Sequence, residues 1–131
     1  MLDVFATYAT DENAEINGAW QKLGDAELLI ARSNNRKYSK TLLAKWEQNQ
    51  AKLSADDDAS AKLDDELIVE SFADAILLGW RNVSYQGAEM PYSKDNAKVL
   101  LRHKDFRREV ARLADSIEAY RAKIEDAQVK N

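Results

Sequence analysis

The sequence predicts an α+β fold, mostly α-helical, in which an N-terminal β-hairpin packs on a bundle of about four helices. Three observations point there. Leu63, Leu67, Ile68, Val69, Phe72, Ala73, Ile76 and Trp80 recur at three- and four-residue spacings, which gather into one broad apolar stripe on a helix. Ile16 and Trp20, then the aliphatic run Leu28-Leu29-Ile30, flank Leu23-Gly24-Asp25-Ala26, where the glycine suits a tight reversal. Phe106, Val110, Leu113, Ile117, Tyr120, Ile124 and Ala127 stand 4, 3, 4, 3, 4 and 3 residues apart, a heptad register.

Taken in order, residues 1–13 hold Val4, Phe5 and Tyr8 without a sustained period and read as a loosely held N-terminal arm or short strand. Residues 14–32 read as the hairpin, which is marginal alone and must lie against helices. Ser33-Asn34-Asn35 offers N-caps, and Tyr38, Leu42, Trp46 and Leu53 mark a basic helix over 35–53, rich in Arg36, Lys37, Lys40, Lys45 and Lys52. Its cations read as a solvated side rather than an anion site. Residues 54–60 form an acidic linker whose aspartates favour the start of the next helix, since the loop lacks the alternating oxygens, glycine and distal glutamate of a calcium site. The core helix occupies 61–80, with Glu66, Glu70 and Asp74 on its water-facing side. Gly87 and Pro91 make 81–92 a loop, and Ser93 caps a short helix over 93–103.

The last predicted element is a heptad-patterned helix over 105–127 with an apolar seam of Phe106, Val110, Leu113, Ile117, Tyr120 and Ile124. A seam this narrow wants another helix. That helix is either inside the same domain, namely the core helix, or belongs to a second copy or a client protein reached past Ile117. The basic row Lys104, Arg108 and Arg112 matches the acidic row Glu66, Glu70 and Asp74 in spacing, so the two could face each other.

Composition narrows the function. At 131 residues the chain is one domain's worth, and 45% hydrophobic with 32% charged residues is ordinary for a globular protein. A net charge of −4 argues against nucleic acid as a partner. With no cysteine there is no disulfide, thiolate nucleophile or thiolate metal site. The N-terminal residues lack a secretory pattern and the longest apolar run, 75–80, is too short to span a bilayer, so a soluble, cytoplasmic protein with no membrane partner is expected. The single histidine, His103, has no second histidine or cysteine with which to share a metal, and the four glycines make neither a dinucleotide fingerprint nor a phosphate loop. No enzyme and no cofactor are expected.

One pattern goes further. Trp80-Arg81-Asn82-Val83, then Gly87, then Met90-Pro91-Tyr92-Ser93-Lys94-Asp95-Asn96-Ala97 and Leu100-Leu101 resembles the tail assembly chaperones of long-tailed phages and prophages. Phe5-Ala6-Thr7, Ala9-Thr10-Asp11-Glu12, Gly18-Ala19-Trp20, Leu23-Gly24-Asp25 and Ile30-Ala31-Arg32 are similar in order. The resemblance implies a non-enzymatic protein of the bacterial host's cytoplasm that coats the tape measure protein and is displaced as the major tail protein polymerises, with a second copy of the chain as a further partner. It transfers no specific binding residue. The competing readings are a structural neck or tail-completion protein of the virion and, last, a small hydrolase.

Overall fold

The computed structural model of the chain describes residues 1–124 and begins with two short helices, α1 (Val4–Tyr8) and α2 (Glu12–Asn17). Asp3 and Asp11 start them by accepting the Ala6 and Ala14 amides. Gly18 ends α2 at φ +98°, where any Cβ would lie 2.8 Å from the Leu29 Cγ, so both conformation and space demand glycine. Strands β1 (Ala19–Leu23) and β2 (Ala26–Ile30) follow, antiparallel and joined through Gly24 and Asp25.

Helix α3 (Arg36–Gln48) starts from Asn35, whose side-chain oxygen accepts the Tyr38 amide while its amide group donates to the Arg32 and Ala75 carbonyls. The spacing predicts one helix over 35–53. The structure breaks it at Asn49, which donates to the Lys45 carbonyl, and resumes it as α4 (Gln50–Leu53). Helix α5 (Asp58–Ala75) opens on a capping box in which Asp57 and Ser60 each bond the other's amide. Of the three consecutive aspartates, Asp57 caps and Asp58 sits in the first turn. Strand β3 (Leu77–Arg81) comes next, then β4 (Ser84–Tyr85) and β5 (Ala88–Glu89), a hairpin turned by Gln86 and Gly87 at φ +52° and +85°. Two more helices complete the order, α6 (Lys94–Leu101) and α7 (Lys104–Ala114), and a 3-10 turn over Glu118–Tyr120 closes it.

This corrects the expected fold class. The hairpin is neither N-terminal nor packed alone on a bundle of about four helices. Two helices precede it, β3 extends it to an antiparallel sheet of order β1-β2-β3, and β4-β5 forms a second sheet. Among the described residues, seven α-helices alternate with these strands in a mixed α/β arrangement. The source of the error is the run 76–80. Its apolar spacing continues the helical stripe, yet Leu77, Gly79 and Trp80 are buried in a strand paired to Ile30, Leu29 and Leu28. A short apolar run covered on both faces has no period of its own, so spacing cannot separate buried strand from helix.

The core joins Leu28 and Ile30 of β2, Val69, Phe72 and Ala73 of α5, Leu77 and Trp80 of β3, Leu100 and Leu101 of α6, and Val110 and Leu113 of α7. Ser71 is fully buried and returns its hydroxyl to the Leu67 carbonyl, 2.8 Å away. The residues behind the phage resemblance are part of this packing. Trp80 donates its indole N–H to the Met90 carbonyl, Tyr92 its hydroxyl to the Leu77 carbonyl, and Asn96 its amide to the Pro91 carbonyl. Trp80 and Tyr92 also meet edge to face at 5.0 Å.

Candidate partner interface

The heptad seam is the natural place to look for a partner, and the structure divides it. Helix α7 ends at Ala114 rather than running to Ala127, which lies outside the described residues. Its terminal carbonyls are taken by distant groups: the Ala114 carbonyl accepts the Ser33 amide at 3.0 Å, and the Leu113 carbonyl accepts the Gln21 side-chain amide at 2.9 Å. The Ser33 hydroxyl also donates to Asp115. These contacts close the helix where sequence periodicity gives no stop.

Val110 and Leu113 are buried on α7, and Phe106 packs half-buried against the same core. Tyr120, from the 3-10 turn, is wholly buried: its hydroxyl donates to the Ile30 carbonyl at 2.7 Å and accepts from Gln21, while Arg32 lies over the ring at 5.7 Å. Ile124 is half-buried beyond the helix. Ile117 alone of the six is exposed, at 56%. The seam is therefore mostly internal, and it packs as helix plus turn rather than as a coiled coil.

The turn also holds the N-terminal arm. Thr10 and Arg121 form an antiparallel bridge, flanked by bonds from the Asp11 amide to the Tyr120 carbonyl and from the Ala122 amide to the Ala9 carbonyl, both 2.8 Å. Arg32 and Glu15 pair at 2.9 Å beside it, and Thr10 donates to Glu15. Residues 9–11 are thus fixed, in contrast to a loosely held arm. Helix α1 projects from this anchor with no buried residue: Leu2, Val4, Phe5 and Tyr8 are all more than half exposed. The sequence marks Val4, Phe5 and Tyr8 as apolar but gives them no sustained period and no role; Leu2 joins them only in the structure.

A second exposed apolar group lies on α3, where Leu43 and Trp46 occupy one face. Trp46 and Leu53 line two adjoining concavities between the end of α3, α4 and the start of α5. The Trp46 indole N–H donates to Asp64 at 2.9 Å. Trp20, on β1, is a different case: the Arg81 guanidinium stacks over its ring at 3.7 Å and Glu27 pairs with Arg81 at 3.7 Å, so it covers the outer face of the sheet.

Charged groups mostly neutralise each other across elements. The acidic row of α5 faces Arg102, Lys45 and Lys94: Glu66 holds Arg102 at 2.7 Å, Glu70 holds Lys45 at 3.5 Å, and Asp74 holds Lys94 at 3.5 Å. The Glu66 hydrogen bonds raise the Arg102 pKa. It does not face Lys104, Arg108 and Arg112 as its spacing suggests; Arg108 and Arg112 pair within α7 with Asp105 and Glu109. Burial raises the phenol pKa values of Tyr38, Tyr92 and Tyr120, the last to about 12, which makes each a poorer proton donor. His103 meets the Tyr85 hydroxyl through Nε2 at 2.6 Å on the surface. Among the described residues no three His, Cys, Asp or Glu side chains are grouped as metal ligands, and no helix is long and apolar enough to cross a membrane.

Comparison with known proteins agrees on origin. No curated protein and no solved structure matches the chain. The model of the family described as YdaY prophage protein matches residues 33–131, from the start of α3 onwards and including the Trp46 concavities and α7. Since that match spans well over half of the sequence, the chain belongs to the YdaY prophage protein family.

Proposed function

We propose that this prophage protein is a tail assembly chaperone that binds the tape measure protein and keeps it soluble in the bacterial host's cytoplasm while the tail is built, without catalysis. The observation that carries the reading is α1: Val4, Phe5 and Tyr8, with Leu2 before them, form an apolar helix that the other described residues leave uncovered. Five residues cannot hold a helix by propensity alone, so a surface of this kind gains from a partner. Exposed apolar groups of this density mark interaction sites, and helical clients present matching stripes. Membership of a prophage family and the resemblance of residues 80–101 to tail assembly chaperones support the same reading. A second copy of the chain and the major tail protein are further partners in this scheme.

Co-expression with the tape measure protein of the same prophage tests it. The expected result is a co-purifying complex and a gain in tape measure solubility. Both are lost in a Phe5→Asp variant whose circular dichroism and melting temperature match the parent. Absence of a complex and of any solubility gain would end the proposal. Recovery of the chain as a fixed component of purified particles would replace it with a neck or tail-completion role.

A further inference from the structure

The Trp46 groove is a second surface, formed by other elements than α1. It runs between the end of α3, α4 and the start of α5 as two adjoining concavities that share Trp46 and Leu53. Trp46 is 39% exposed, and Leu43, one turn earlier on the same face, is 55% exposed. The bond from its indole N–H to Asp64 fixes the ring in the groove wall. Glu47 lines one concavity and Asp56 and Asp64 the other, and among the described residues no Lys or Arg lines either. The nearest base of α3, Lys45, is drawn towards Glu70 and Asp74 instead.

Asp56 is the informative member. Its neighbours Asp57 and Asp58 serve the start of α5, whereas Asp56 takes a left-handed φ of +50° and lies in the groove lining. An open indole bordered by three carboxylates attracts a cation with an apolar stem: the ring face favours positive charge, the acids pair with it, and Leu53 covers the methylenes. An acidic segment would be repelled there. We propose that this groove docks a helical partner segment carrying lysine or arginine beside apolar residues. The site goes beyond the role proposed for α1 and stands whether or not the tape measure protein is the client.

The probe is a helical peptide of Ala and Leu with Lys at i, i+4 spacing, and a control with Gln at every Lys. The indole N–H resonances of the three tryptophans report the site, that of Trp46 being assigned by its loss in Trp46→Phe. The lysine peptide should shift the Trp46 resonance and leave those of Trp20 and Trp80 in place. Affinity, followed in parent and variants by the fluorescence anisotropy of a labelled lysine peptide, should weaken roughly three- to thirtyfold in Trp46→Ala, as expected for loss of a cation–π contact. It should also weaken in Asp56→Asn, an exposed substitution that spares the fold, and persist in Trp46→Phe. The proposal is overturned if the lysine peptide leaves Trp46 unmoved, if the glutamine peptide binds equally, or if Asp56→Asn binds like the parent. A Trp46 shift that grows with protein concentration in the absence of peptide would assign the groove to a second copy and overturn it too.

Discussion

Removing one oxygen from Tyr120 tests the central structural claim, that the segment after α7 belongs to the core. Tyr120 is wholly buried, and its hydroxyl is the group through which residues 118–122 reach β2, by a 2.7 Å bond to the Ile30 carbonyl. In Tyr120→Phe that carbonyl loses a buried donor, whereas Gln21 keeps its bond to the Leu113 carbonyl. The cost should be about 0.5–1.5 kcal/mol, the net worth of one intramolecular hydrogen bond, because the carbonyl keeps its ladder pairing opposite Ala19. For a chain of this size each kcal/mol lowers Tm by roughly 3–5 °C. Thermal and urea denaturation at neutral pH read the effect directly.

Alkaline pH provides a second readout of the same hydroxyl. Burial pushes the Tyr120 pKa from 10.0 up to about 12, against a lowering pull from the Gln21 hydrogen bond and Arg32. The folded state therefore holds this proton more tightly than the unfolded chain does. The stabilisation is complete below pH 10 and is lost as pH rises towards 12, a loss on the order of 3 kcal/mol at most. Tyr38 and Tyr92 shift in the same direction and add to the slope, so the comparison is parent against Tyr120→Phe, which should lose stability less steeply between pH 10 and 12. A variant within about 0.5 kcal/mol of the parent at pH 7, with an unchanged alkaline slope, would refute the assignment of Tyr120 to the core.

Two further outcomes separate structure from surface. Asp57→Ala should destabilise by about 1 kcal/mol, because it removes the carboxylate that accepts the Ser60 amide at the start of α5 while the Asp57 amide keeps its bond to the Ser60 hydroxyl; chemical denaturation would register it as a lower midpoint at constant slope. Within the seam, Leu113→Ala should cost about 2–5 kcal/mol while Ile117→Asp changes stability by less than about 0.5 kcal/mol and lowers recovery of the tape measure complex instead. Global unfolding of Ile117→Asp would show that position to be core.

How much of this was legible depends on whether a residue's fate is decided locally. Asn35 and Ser93 cap the helices that follow them, and Gly24 sits in the turn between β1 and β2, because capping and turning involve only neighbours within three residues. Leu77 and Trp80 were misread as helix because their strand is stabilised by pairing with β2, about fifty residues earlier in the chain. The end of α7 was invisible for the same reason: its terminal carbonyls are capped by Ser33 and Gln21, so a heptad spacing that continues to Ala127 outlasts the helix. At the surface, Ile117 keeps the exposure its heptad position allows, but the larger apolar groups on α1 and around Trp46 were not ranked as sites. Their exposure depends on what the remainder of the chain leaves uncovered, and periodicity carries no such information.

The resemblance residues sharpen the point about where function can lie. Trp80 and Tyr92 fasten the segment after the β4-β5 hairpin to the core through indole and phenol hydrogen bonds, and Ser93 and Asn96 shape the start of α6 locally, the Ser93 hydroxyl accepting the Asn96 amide and the Asn96 side chain donating to the Pro91 carbonyl. A pattern made of such residues identifies an architecture, because each satisfies a buried or capping group of its own fold. It leaves the partner unspecified, since it describes how the fold is held and not what meets its surface. Recognition must then come from side chains the fold does not consume. Among the described residues, and besides exposed Ile117, two sets stand out: the uncovered arm, anchored at Thr10 and Arg121 and lying before the family match, and the acid-lined indole groove within it. One is apolar with little charge and the other pairs an aromatic face with carboxylates, so they select different features of a helix. A client with an apolar stripe and flanking lysines would satisfy both, which is how a domain this small could hold a much longer helical protein without enclosing it.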